Sequence, residues 1–152
     1  VMKLAEALQE RADINRRIAQ LRDRLGNNAL VQEGERPAED PAMLKQELDA
    51  AVSRLQWLMA RINLTNARVE VDGRTLTELI AEKDALTVRI SAYRAMVDQS
   101  SQTAYRARST EIRIMPAINV KDWQSEVDAM SKNLRLLDNR LQQSNWNTDL
   151  LE

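Results

Sequence analysis

Neither cysteine nor histidine occurs among the 152 residues, which removes thiol nucleophiles, imidazole bases and the Cys/His cages of structural zinc. Any chemistry must rest on carboxylates, Lys, Arg, Ser, Thr or Tyr. Glu78 and Glu82 lie four apart, one helical turn, with Asp84 beside them. Such paired carboxylates can hold a divalent cation or share acid/base work. Di-iron bundles add Glu-x-x-His ligands, which this chain cannot supply, and Thr75-x-x-Glu78 also reads as a helix capping box. Arg16/Arg17, Arg22/Arg24 and the run Arg94, Arg106, Arg108, Arg113 could bind an anion. Their acidic neighbours Asp13, Asp23, Asp98 and Glu111 favour solvated ion pairs instead. Asn63-Leu64-Thr65 has the form of a glycosylation acceptor but no export signal to accompany it. No catalytic set, metal set or cofactor emerges.

The balance of charge narrows the partners. With 22 basic and 23 acidic residues, the chain exerts no global pull on nucleic-acid phosphates or anionic lipid, so no nucleic-acid role is expected. No apolar run approaches the ~18 residues of a membrane span. Lys3, Glu6, Glu10 and Arg11 interrupt the N-terminal stretch, which therefore does not read as a signal peptide. Zero cysteine fits a reducing, cytoplasmic setting.

Few Gly and Pro residues amid much Leu, Ala, Glu, Gln and Arg point to long helices, and apolar residues spaced alternately three and four apart mark four of them. The seams are Leu4, Ala7, Arg11, Ile14, Ile18, Leu21, Leu25; then Leu44, Leu48, Ala51, Leu55, Leu58, Ile62. The third is Leu76, Leu79, Lys83, Leu86, Ile90, Tyr93, Val97, and the fourth Trp123, Val127, Met130, Leu134, Leu137, Leu141, Ser144. They predict helices near 2–26, 41–64, 75–99 and 120–144. The charged seam residues Arg11 and Lys83 are expected to snorkel or pair. Asp40 before Pro41 reads as an N-cap with Pro at the first helical position, and Asn119 as the cap of the fourth helix. Gly26 with Asn27 and Asn28 should end the first helix, and Asn63 or Asn66 the second.

Two connections alternate with period two: Val69-Glu70-Val71 before Asp72-Gly73, and Glu111-Ile112-Arg113-Ile114-Met115 before Pro116. Each is too short to build a sheet alone. Either residues 103 to 115 fold into their own hairpin, or a strand containing Ile112 and Ile114 pairs with another subunit. The fold class is therefore mostly α: a single domain over 1–152 of four long antiparallel helices with heptad seams, a helical bundle or coiled-coil hairpins, plus one or two very short β segments.

Some apolar residues have no place in a seam. Val52 and Met59 widen the second helix, Ile80 and Met96 the third, while Trp57, Val88 and Leu136 lie well off theirs. Trp57, Val88 and Leu136, together with Ile112 and Ile114, form the candidate interface of a homo-oligomer. If the four helices alternate in direction, one end of the bundle gathers Asn63, Thr65, Asn66, Asp72, Thr75 and Glu78 with Asn145, Trp146, Asn147 and Thr148. Amides, hydroxyls and carboxylates beside an aromatic ring could line a small site for a ligand or divalent cation, or could simply cap helices. The candidate binding residues are Asn63, Thr65, Asn66, Asp72, Glu78, Asn145 and Trp146.

Met2-Lys3-Leu4-Ala5-Glu6-Ala7-Leu8, the loop from Val31-Gln32-Glu33-Gly34-Glu35 through Arg36-Pro37-Ala38-Glu39-Asp40-Pro41, Ile62-Asn63-Leu64-Thr65-Asn66, Val71-Asp72-Gly73-Arg74-Thr75-Leu76-Thr77-Glu78 and Asn145-Trp146-Asn147-Thr148 together resemble the septicolysin-like family of small bacterial helical proteins. The biochemical role of that family is not established, and it offers no catalytic residues to carry over. The resemblance implies an intracellular helical domain that self-associates. An oligomeric structural or interaction protein is the leading expectation, and a small-ligand or cation-binding protein with its site at the polar end is the alternative.

Overall fold

The computed structural model describes residues 1–102 and 112–152. Helix makes up 73% of it, against about a third in ordinary domains, so the molecule is mostly α. Among the described residues the elements run α1 (Leu4–Asn27), α2 (Pro41–Arg68), β1 (Glu70–Val71), β2 (Arg74–Thr75), α3 (Leu76–Ser100) and α4 (Val120–Asn147). The chain forms two compact units, one of Val1–Thr75 with Ser144–Glu152 and one of Leu76–Gln143.

In the first unit α1 and α2 form an antiparallel hairpin. Glu10 pairs with Arg54 and Arg17 with Glu47, so seven residues forward on α1 is seven residues back on α2. Leu4, Ala7 and Leu21 of one seam and Leu44, Leu58 and Ile62 of the other are buried, and no residue of either seam is exposed. The C-terminal residues complete this unit. Leu4 donates its amide to the Thr148 carbonyl and Leu150 donates to Met2, both at 2.8 Å, making an antiparallel bridge between Lys3 and Asp149. Leu150 is buried by it.

Asp40 caps α2 by accepting from the Ala42 amide at 3.0 Å, with Pro41 in the first turn. Helix α2 does not stop at Asn63 or Asn66. It continues to Arg68, closed by the Val69 amide on the Thr65 carbonyl at 2.9 Å. An interior Asn costs only about 0.7 kcal/mol of helix propensity, less than burying Ile62 and Thr65 returns. Helix α1 ends within the expected Gly26-Asn27-Asn28 run: Asn27 is its last residue and Asn28 its cap, whose amide and side-chain Nδ2 both donate to the Arg24 carbonyl. Asn28 Oδ1 accepts from the Glu39 amide at 3.0 Å, which closes at its root the loop between α1 and α2, acidic through Glu33, Glu35, Glu39 and Asp40 against Arg36.

After α2 the chain reverses at Asp72-Gly73. Both residues have positive φ, 52° and 79°, the left-handed conformation that a two-residue hairpin turn demands and that Asp-Gly tolerates. This small antiparallel sheet pairs Glu70 with Thr75 and Val71 with Arg74.

The second unit pairs α3 with α4. Lys83 reaches Asp138 at 2.6 Å, Arg94 reaches Ser131 at 3.4 Å, and the Tyr93 and Trp123 rings stack with centroids 5.0 Å apart. The antiparallel order is plain from these pairs. Asn119 caps α4 through the Asp122 amide at 3.1 Å. Leu76, Leu79, Ile90, Val97, Val127 and Leu141 form its buried seam. The second alternating segment does not form a strand within the chain: Ile112–Met115 is irregular and exposed, since no backbone edge of this unit is free to pair with it in an all-helical pair. Glu111, Arg106, Arg108 and the remainder of the possible 103–115 hairpin lie outside the described residues.

Candidate functional site

Two sets of residues were candidates, and they meet different surroundings. Of the polar set, Asn63, Thr65, Asn66, Asp72, Asn145 and Trp146 all belong to the first compact unit, whereas Glu78 lies on the first turn of α3 in the second. Asn63 and Asp72 are exposed, Asn66 and Asn145 half-buried, and Trp146 is half exposed at 50%. Thr65 is fully buried. Its hydroxyl donates to the Arg61 carbonyl at 2.8 Å and accepts from the Leu151 amide at 2.9 Å, so it serves the backbone of both α2 and the C-terminal segment. Among the described residues no three carboxylates gather closely enough to share one metal ion.

The edge of the α1–α2 hairpin carries chemistry of another kind. Residues 3, 10, 17 and 24, seven apart, are all charged, and each meets the opposite sign: Lys3 with Asp149 at 2.7 Å, Glu10 with Arg54 at 2.9 Å, Arg17 with Glu47 at 3.8 Å and Arg24 with Glu39 at 2.5 Å. Arg24 grips Glu39 through Nε and Nη2 together. Its hydrogen bonds, helped by its charge, hold the Glu39 carboxyl below the ordinary carboxylate range, and Glu39 in turn raises the guanidinium. Lys3 lowers Asp149 in the same way. Arg16 pairs with Asp13, so most of the first basic cluster is neutralised. Lys83 pairs out of its seam with Asp138, whose carboxyl it lowers by hydrogen bonding. Arg11 stays half-buried on its seam.

Between the Glu10–Arg54 and Arg17–Glu47 pairs lies an open groove of about 380 Å³, floored by Ile14, Ala50 and Ala51. The α3–α4 unit has a similar groove of about 400 Å³ lined by Ile90, Arg94, Asp98 and Leu134. Both are shallow troughs with apolar floors and charged rims, suited to side chains of another surface.

The apolar set is where the structure adds most. Trp57 is 37% exposed with Arg54 stacked on its ring at 4.7 Å, Val88 is 70% exposed and Leu136 54%. Trp57 is not isolated. Met43, Gln46, Ala50, Ser53, Trp57, Ala60, Leu64 and Ala67 repeat at three-and-four spacing along the back of α2, and only Leu64 is even half-buried. Ala81, Ala85, Val88, Ala92 and Ala95 do the same on α3, all exposed. Thus α2 and α3 each carry a second uncharged heptad seam, roughly opposite the first, in a chain with 30% charged residues. The sequence held that signal: it emerges when alanine and serine are counted together with the large apolar residues rather than beneath them.

Residues 11–150 match the Family of unknown function (DUF6847). The chain belongs to that family. A crystal structure of a functionally unknown conserved protein from Corynebacterium diphtheriae is 34% identical to it, with a TM-score of 0.92 and 99% of each chain covered. No curated protein matches the chain. The neighbour shares the whole fold, and neither it nor the family brings an activity with it. No helix among the described residues of this DUF6847 member is long and apolar enough to cross a membrane.

Proposed function

We propose that this DUF6847 member is a helical structural or interaction protein that works as a homo-oligomer in a bacterial cytoplasm. The observation that carries the reading is the pair of exposed, uncharged second seams on α2 and α3. A helix surface facing only water has no reason to exclude charge at eight consecutive seam positions on α2 and five on α3, whereas a surface that packs against another helix does. Exposed contiguous apolar faces mark interaction sites. The Corynebacterium neighbour supports a bacterial setting, and the septicolysin-like resemblance, kept here as a proposal, agrees with self-association. Light scattering at high micromolar concentration tests the reading: a mass at least twice 17.4 kDa is expected, and a 17.4 kDa particle would refute it.

The second reading is a ligand or divalent-cation site formed by Asn63, Asn66, Asp72, Asn145 and Trp146, favoured by their common place in one compact unit and by the half-exposed indole. Titration of divalent metals and metabolites against Trp fluorescence and melting temperature tests it. A response abolished by Asp72→Ala or Asn145→Ala supports the site, and a response untouched by both places binding elsewhere.

A further inference from the structure

We propose that the occupant of the second α2 seam is the same seam of a second copy, packed antiparallel about a two-fold axis near residues 55 and 56. The inference rests on the self-association reading and adds the surface, the direction and the register. The eight seam positions from Met43 to Ala67 span about 36 Å of helix, and a stable pair needs roughly 1,200 Å² of total buried surface, which a face of that length covered on both copies is large enough to approach.

Size and charge select the antiparallel arrangement. Placing Met43 against the partner's Ala67, Gln46 against the partner's Leu64, Ala50 against the partner's Ala60 and Ser53 against the partner's Trp57 uses every seam position. Trp57, Leu64 and Met43 then each face a smaller or more flexible side chain, so the helix axes can keep one separation along the whole contact. Parallel pairing instead sets Trp57 on Trp57 and Ala60 on Ala60, alternately forcing the helices apart and leaving voids, which close packing penalises. Knobs-into-holes seams favour even layers of this sort.

The flanks divide. On the edge carrying Glu47, Arg54, Arg61 and Arg68, the antiparallel register brings Glu47 beside the partner's Arg61 and sets Arg54 across the two-fold axis from the partner's Arg54, a like-charge approach that Glu10 offsets on each copy. Among the described residues Arg61 has no ion pair, and its buried Nε lacks a hydrogen-bond partner. Glu47, only loosely held by Arg17 at 3.8 Å, has acceptor capacity to spare. On the other edge Asp49 comes beside the partner's Asn63, and Gln56 beside the partner's Gln56, with no like charges opposed. Arg54 stays on Glu10 and on the Trp57 ring.

Because the chain has no cysteine, single introduced cysteines read the register directly. Met43, Gln56 and Ala67 are exposed, so substitution leaves each hairpin core intact. Under mild oxidation Gln56→Cys should form a disulfide-linked pair by itself, Met43→Cys should not, and a mixture of Met43→Cys with Ala67→Cys should. Efficient linking of Met43→Cys to itself would mean a parallel pair and overturn the proposal. Failure of all three to link in a chain that light scattering shows to be oligomeric would move the interface to another surface, overturning this inference while sparing the function proposed above. A monomeric chain would overturn both.

Discussion

A fully buried hydroxyl must find partners inside the protein, and Thr65 finds two from different parts of the chain, the Arg61 carbonyl and the Leu151 amide. Thr65→Val keeps the shape but strands that amide, which should destabilise the fold by about 1–3 kcal/mol, seen as a lower urea midpoint with unchanged slope. Thr65→Ser should recover most of the loss. The charged residues act through pH. Glu39, Asp138 and Asp149 all have carboxyl groups held low by hydrogen-bonded cations. In the unfolded chain they return to about 4 and bind protons first as pH falls. Their contribution is therefore present above the ordinary carboxyl range and lost as pH drops through the lowered folded values. Urea midpoints should fall below about pH 4.5, and Glu39→Gln should flatten the fall, modestly, because these pairs are partly exposed. Which cation would meet which carboxylate was visible for Arg16 with Asp13, three apart on one helix, and not for Arg24 with Glu39, which meet only once Asn28 folds the acidic loop back.

Helix boundaries tell a similar story at the scale of elements. The four seams and the Asp40 and Asn119 caps are legible because each depends on neighbours in sequence, whereas the alternation at Val69–Val71 does not by itself mark Arg74 and Thr75 as its partners. The end of α1 at Asn27 with Asn28 as its cap is legible in the Gly-Asn-Asn run, whereas α2 continues past Asn63 and Asn66 because local preference there is worth less than the burial gained by continuing the helix. The polar candidates were chosen from a topology in which helix ends gather; the structure puts six of them in one compact unit and Glu78 in the other. Within α2, adjacent residues divide the two surfaces: Leu58 is fully buried in the hairpin and Trp57 faces out. Leu58→Ala should cost about 2–5 kcal/mol of stability, measured by urea or thermal unfolding. The second seams are faint in the sequence because their alanine, serine and glutamine side chains offer little apolar area beside Trp57, Leu64 and Val88.

On each of α2 and α3 one seam packs within its own helix pair, uncharged on α2 and interrupted by Lys83 on α3, and a second, uncharged seam is left on the surface. That doubling suits an assembling helical protein, which needs repeating helix faces on its surface and a hairpin register such as the Glu10–Arg54 and Arg17–Glu47 pairs set. Sedimentation equilibrium from low to high micromolar concentration, run on the wild-type chain and on Trp57→Glu, tests this most directly. The account predicts that the wild type sediments at a multiple of 17.4 kDa and that Trp57→Glu, with its helix content unchanged by circular dichroism, shifts toward the single-chain mass. A wild-type protein that stays at 17.4 kDa throughout the range would contradict it.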